Sequence, residues 1–133
     1  MGSRGRGFRS IEIEGFLVLV GKGDAENDRL TFGTAEPLDL WLHVAGPAGS
    51  HVVVRNPGRL PLNEIPGTVV ERAAGLAAWH SKARGARGKV AVHVCRVADV
   101  RKPKGFAPGQ VLLKRWQVLK VYPRDPAGDA PAE

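Results

Sequence analysis

Five segments of this chain gather β-branched, aromatic and other apolar residues, and turn residues break the chain around them. They are IEIEGFLVLVG (11–21), LWLHV (40–44), HVVVR (51–55), KVAVHVCRVADV (89–100) and QVLLKRWQVLKVYP (110–123). Apolar runs of this kind, bounded by Gly, Pro, Asn and Ser, read as strands. The last one holds two short runs, a hairpin or one long bent strand. AGPAGS, between the second and third, reads as the turn of a hairpin. NPGRLPLNEIPG (56–67) has three prolines and must be loop. One stretch carries sustained helical spacing: VVERAAGLAAWHSKA (69–83) sets Val69, Ala73, Leu76, Ala77 and His80 on one face, behind a Thr68/Glu71 capping box. A short second helix is expected near Asp24, with that residue as its cap and Asn27 in its first turn. The expected architecture is α+β: a mainly antiparallel sheet of five or six strands, one main helix and a short second helix. Residues 1–10 read as a flexible basic arm, 11–123 as the domain and 124–133 as a disordered acidic tail.

The chain's 133 residues suit a single core. No apolar run approaches the roughly 20 residues of a membrane helix, and no apolar stretch follows the basic N-terminus as a secretory signal would require. One cysteine, Cys95, excludes an internal disulfide and a cysteine zinc cage, and fits a reducing, cytoplasmic setting. Its place in an alternating strand makes it a sheet or core residue rather than a nucleophile.

Charge narrows the choice of partner. Twenty Lys and Arg stand against thirteen Asp and Glu, a net +7. Between Lys82 and Lys120 there are eleven bases and one acid, Asp99. A one-signed stretch of this kind attracts polyanions. The bases lie largely in strand-like segments and no basic amphipathic helix is evident, so no membrane partner is expected.

The 40–56 region concentrates chemistry-bearing side chains. Trp41 and His43 share one face of their strand; His51, Val53 and Arg55 share one face of theirs. Two registers are compatible with the glycines of the turn. If His43 pairs with His51, then Asp39, Trp41, His43, His51 and Arg55 form one surface. If the pairing slips by one residue, the histidines part. Catalysis is the poorer fit. Ser50 and His51 are adjacent, so on a strand they point apart, and neither a G-x-S-x-G elbow nor a metal-binding histidine spacing is present. No metal or other cofactor is implied. An enzyme acting on RNA or a nucleotide through Asp39, His43, Ser50 and His51 stands as the alternative. Binding is favoured: Lys and Arg suit phosphates, and aromatic and imidazole rings suit bases. Arg101, Lys102, Lys104, Lys82 and Arg84 are the expected phosphate contacts, with the basic loop 101–104 foremost. Trp41, His43, His51 and Arg55 would shape or read the site.

Four stretches, VLVGKGDAENDRLTF, DLWLHVAGPAGSHVVVRN, VVERAAGLAAWHSKARG and VRKPKGFAPGQV, resemble in order and spacing the motifs of the NFACT-R family, over about residues 14–123. That family is the C-terminal module of the ribosome-quality-control NFACT proteins. The resemblance implies an RNA-binding α+β module without catalysis of its own. It implies tRNA or rRNA as ligand, the large ribosomal subunit as a setting, and a protein partner to supply the family's other modules. It adds Asp39 and Ser50 to the expected RNA site, and places motif positions at Asn27, Asp28, Thr31 and Gly109 as well. One departure is Gly23-Asp24, where the family has Asn-Asn.

Overall fold

The computed structural model describes residues 7–124. In chain order the elements are β1 (Phe8–Ile13), β2 (Phe16–Gly21), α1 (Asp24–Asp28) running into a wider helical turn over Arg29–Thr34, β3 (Leu40–Val44), β4 (Val52–Val54), α2 (Gly67–Trp79), β5 (Val90–Arg96), β6 (Val100–Arg101), β7 (Leu112–Leu113) and β8 (Gln117–Val121). Six strands form one sheet in the order β1-β2-β4-β3-β5-β8, every neighbouring pair antiparallel. The strands β6 and β7 pair separately. The α+β architecture is therefore as the periodicity indicates.

The details depart from the sequence reading where short-range signals compete with packing. IEIEGFLVLVG is a hairpin rather than one strand. Glu14 and Gly15 both take positive φ, 50° and 87°, the geometry that two-residue turns between twisted strands require. β1 starts at Phe8, which is buried, so the sheet reaches into the stretch expected to be an arm. Residues 1–6 of that arm and 125–133 of the expected tail lie outside the described residues. The two runs of 110–123 form neither a hairpin nor one bent strand, because Leu112–Leu113 pairs with β6 and Gln117–Val121 with β5.

The helix α2 covers one face of the sheet. Its Val69, Ala73, Leu76 and Ala77 pack with Val18, Val20, Leu40, Leu42, Val52, Val54, Val92 and Val94 in the main core. The capping box does not form: the helix starts at Gly67, after Pro66, without a side-chain cap. It stops at Trp79 rather than continuing to 83, because the chain turns to pair with the β3–β4 connection. Ser50 N–H donates to His80 C=O and Lys82 N–H to Ala48 C=O. Gly49 and Ser81 lie so close that a Cβ on Gly49 would be 2.6 Å from the Ser81 Cβ. The opposite face carries a smaller cluster of Phe8, Leu19, Leu30, Trp41, Val53, Cys95, Val97 and Val100, with Val111 and Leu113 of the 97–116 excursion packed against it. The α1 cap is Gly23 rather than Asp24, and Asn27 turns inward to be buried. This second face holds Trp41, His43 and His51.

Candidate functional site

The register of β3 with β4 pairs Leu40 with Val54, Trp41 with Val53 and Leu42 with Val52. The same count sets His43 across from His51 and Asp39 across from Arg55. The hairpin thus takes the register that keeps the histidines together, with ring centroids 5.5 Å apart, edge to face. Trp41 stacks on His43 at 5.9 Å and meets His51 edge-on at 5.0 Å. On the neighbouring strand His93 pairs directly with His43.

His51 is 1% exposed and fully engaged. Its Nδ1 lies 2.8 Å from Thr31 Oγ1, and its Nε2 lies 3.1 Å from the Gly109 carbonyl oxygen. A carbonyl only accepts, so Nε2 carries the proton and Nδ1 accepts from the threonine hydroxyl. That hydroxyl in turn accepts from Trp41 Nε1–H at 3.2 Å. The chain Trp41 → Thr31 → His51 → Gly109 has one consistent direction and a neutral imidazole. Burial, with the His43 ring beside it, pushes the His51 pKa down to about 4 from its ordinary 6.5. The backbone N–H of His51 donates to Asn27 Oδ1 at 3.1 Å. His43 is also lowered, by burial first, with the backbone at Val44 and Gly49 pulling the other way.

Asp39, 2% exposed, serves the interior. Oδ1 accepts from Asn56 N–H at 2.8 Å and Oδ2 from Glu36 N–H at 2.9 Å. Arg55 Nε stands 2.7 Å from Oδ2, off the line of a hydrogen bond, so that contact is an ion pair. Both ring nitrogens of His51 and both oxygens of Asp39 are thus engaged, with Thr31, Gly109, Asn56 and Glu36 as their partners. Among the described residues no group of three His, Cys, Asp or Glu is placed to hold a metal.

Residues 6–115 match the family described as the NFACT protein RNA binding domain. The chain belongs to that family. The NFACT RNA-binding domain here is 37% identical over 110 residues to the Rqc2 homolog RqcH of Streptococcus suis, covering 82% of this chain and 19% of that protein. Against the Rqc2 homolog RqcH of Bacillus subtilis it is 35% identical over 109 residues, covering 82% of this chain and 18% of that protein. The chain thus spans about a fifth of these relatives. A solved structure, the C-terminal part of the fibronectin/fibrinogen-binding protein from Streptococcus suis, superposes with a TM-score of 0.78 at 35% identity, over 89% of this chain and 45% of that one.

The structure separates the expected RNA-site residues of the domain into interior and surface. Trp41, Asp39 and His51 are buried, and Arg55, half-buried, is paired with Asp39. Lys102 folds inward: its ammonium donates to the carbonyls of Ala107 and Gln110, both at 2.6 Å, and pairs with Asp28 at 3.1 Å. Asp28 also accepts from Gly109 N–H at 3.1 Å. Lys102 therefore pins the 102–110 loop over His51, while its neighbours Arg101 and Lys104 are exposed. Lys82 and Arg84 are exposed at the far end of α2, and the Arg84 guanidinium lies 4.5 Å above the Trp79 ring.

Lys82, Arg84 and Ser50 border one cavity of about 340 Å³, walled by Gly21–Asp24, Ala48–Ser50 and His80–Lys82. Arg9 and Lys22 border it too, and neither is among the expected site residues. Arg9 sits in the stretch taken for an arm, and Lys22 stands alone between glycines. Two further rings, Trp116 and His93, stand apart from these. Their rings meet at 5.6 Å on the rim of a second cavity that His43 and His51 line. The strand phase held the signal, since His93 falls on the same face as Cys95 and Trp41.

Proposed function

We propose that this domain binds tRNA or rRNA through phosphate contacts in ribosome-associated quality control, without catalysing a reaction. The observation that carries this reading is the convergence of Arg9, Lys22, Lys82 and Arg84, from three chain segments, around one small cavity whose described lining includes a single acid, Asp24. Exposed cations held about a concave backbone suit phosphate oxygens, and sequence-independent affinity in nucleic-acid binders comes largely from such contacts. Family membership and the likeness to the Rqc2 homologs support RNA as the polyanion and quality control as the process. The large ribosomal subunit is the setting and the cytoplasm the compartment.

The test is fluorescence anisotropy of a short labelled RNA titrated with the domain at several salt concentrations. Affinity falls steeply between about 50 and about 200 mM salt. Lys82→Ala and Arg84→Ala each lower the slope of log affinity against log salt by about one. Affinity that is insensitive to salt, or two variants with the parent slope, refutes this reading.

A further inference from the structure

Across the connection between β3 and β4 from the basic cavity lies the second one, of about 410 Å³. Its lining includes the rings of Trp41, His43, His51, His93 and Trp116, with Val111, Leu113 and the stretch around Gly109 and Gln110. Among the described residues no Asp, Glu, Lys or Arg lines it. The volume falls within the roughly 300–1,000 Å³ of small-molecule pockets. Trp116 forms the outer wall and is 49% exposed, although its neighbour in space, Trp41, is 1% exposed. The cations Lys114 and Arg115 precede Trp116 directly and are exposed. A ring-walled recess with no charged lining, whose outer ring follows two exposed cations in the chain, matches a flat, uncharged aromatic group joined to an anionic chain.

We propose that the recess between His43, His93 and Trp116 takes one unpaired nucleobase, so that the RNA this domain selects is single-stranded or carries an extruded base. This rests on the reading of the domain as an RNA binder and names the class of RNA. Bases in a duplex are stacked on both faces and present only their edges, whereas an unpaired base offers a face to aromatic side chains. His43 and His93 are both shifted toward the neutral form by burial. A neutral imidazole has one donor and one acceptor nitrogen, which suits the mixed edge of a base. His51 closes the back of the recess with both nitrogens already engaged, so selection falls to the rings at the mouth.

The test compares a 12-nucleotide single strand, the blunt duplex of the same sequence and free AMP, each titrated against the full chain and against Trp116→Ala and Trp116→Phe. The full chain is expected to bind the single strand more tightly than the duplex at equal salt. Trp116→Ala weakens single-strand binding roughly five- to a hundredfold, the range of one base–aromatic stack. It leaves duplex affinity and the salt slope unchanged, and Trp116→Phe restores most of the loss. In the unmodified chain the single strand also shields tryptophan emission from acrylamide, a readout that needs no variant. Equal loss for both RNAs, or none for either, overturns the base recess; the latter leaves this exposed ring as a protein contact. AMP that shields the tryptophan as fully as the oligomer assigns the recess to free nucleotides and also overturns it. Failure of the full chain to bind any RNA refutes the functional reading itself.

Discussion

Acidification should unfold this domain through His51, and the effect can be isolated. In the folded chain the imidazole takes a proton only near about pH 4, while in the unfolded chain it does so near its ordinary 6.5. Above about 6.5 both states hold the ring neutral and His51 contributes its full stabilisation. As the pH falls below that value the unfolded state takes up a proton that the folded state refuses, so stability declines. The slope for one such site is about 1.36 kcal/mol per pH unit, which amounts to about 2 kcal/mol by pH 5 and roughly 3 kcal/mol over the whole interval. His43 and His93 are lowered as well and act in the same direction. The assay is urea unfolding, followed by far-UV circular dichroism, from about pH 7.5 down to about pH 5, above the main carboxylate range. His51→Gln serves as the comparison. At neutral pH it is less stable by about 1–3 kcal/mol, the cost of disturbing the partners of Thr31 and Gly109. Its decline from pH 7 to pH 5 should be shallower than the parent's by about 2 kcal/mol. Parallel declines in the two proteins would refute the argument, because they would assign the acid sensitivity to other groups.

Three further outcomes follow from the geometry. Asp39→Ala strips Arg55 of its ion partner and two backbone N–H groups of their acceptor, and should cost about 3–5 kcal/mol in urea unfolding; a loss under about 1 kcal/mol contradicts the role assigned to it. Lys102→Ala should lower the melting temperature and raise hydrogen exchange at Ala107–Gln110, whereas Lys82→Ala changes RNA affinity with little effect on stability; reversed behaviour would exchange their roles. The Cys95 thiol is buried and its pKa is raised by burial to about 12. It should resist a thiol reagent in the native state at neutral pH and react on addition of urea, and rapid native labelling would argue against its place in the sheet.

Much of the sheet was legible because period-two alternation survives in β3 and β5, where Leu40 and Leu42 face α2 while Trp41 and His43 face away. The α2 core face was equally legible from Val69, Ala73, Leu76 and Ala77. The boundaries were not, since they answer to distant contacts: α2 ends where Gly49 meets Ser81, thirty-two positions apart in the chain. The register of the β3–β4 hairpin is set by burial of Asp39 and His51, which local sequence cannot encode. Charge proved a poor guide to exposure. Lys102 and Lys104 read alike in RKPKG, yet the former is held by two carbonyls and Asp28 while the latter faces solvent. The partner that distinguishes them, Asp28, lies some seventy residues earlier.

The bond from His51 to Gly109 joins residues 58 positions apart. A nascent chain can pair β1 through β4 and bury much of α2 before it contains the acceptor that fixes the imidazole. That acceptor lies in the loop that Lys102 pins, and the Trp116 wall beyond it arrives later still. During synthesis, then, five of the six sheet strands and every cation of the basic cavity precede the ring-walled recess, and a chain that stops before residue 109 contains them while lacking the Gly109 acceptor and Trp116. That recess is complete only once the segment through Trp116 has been made.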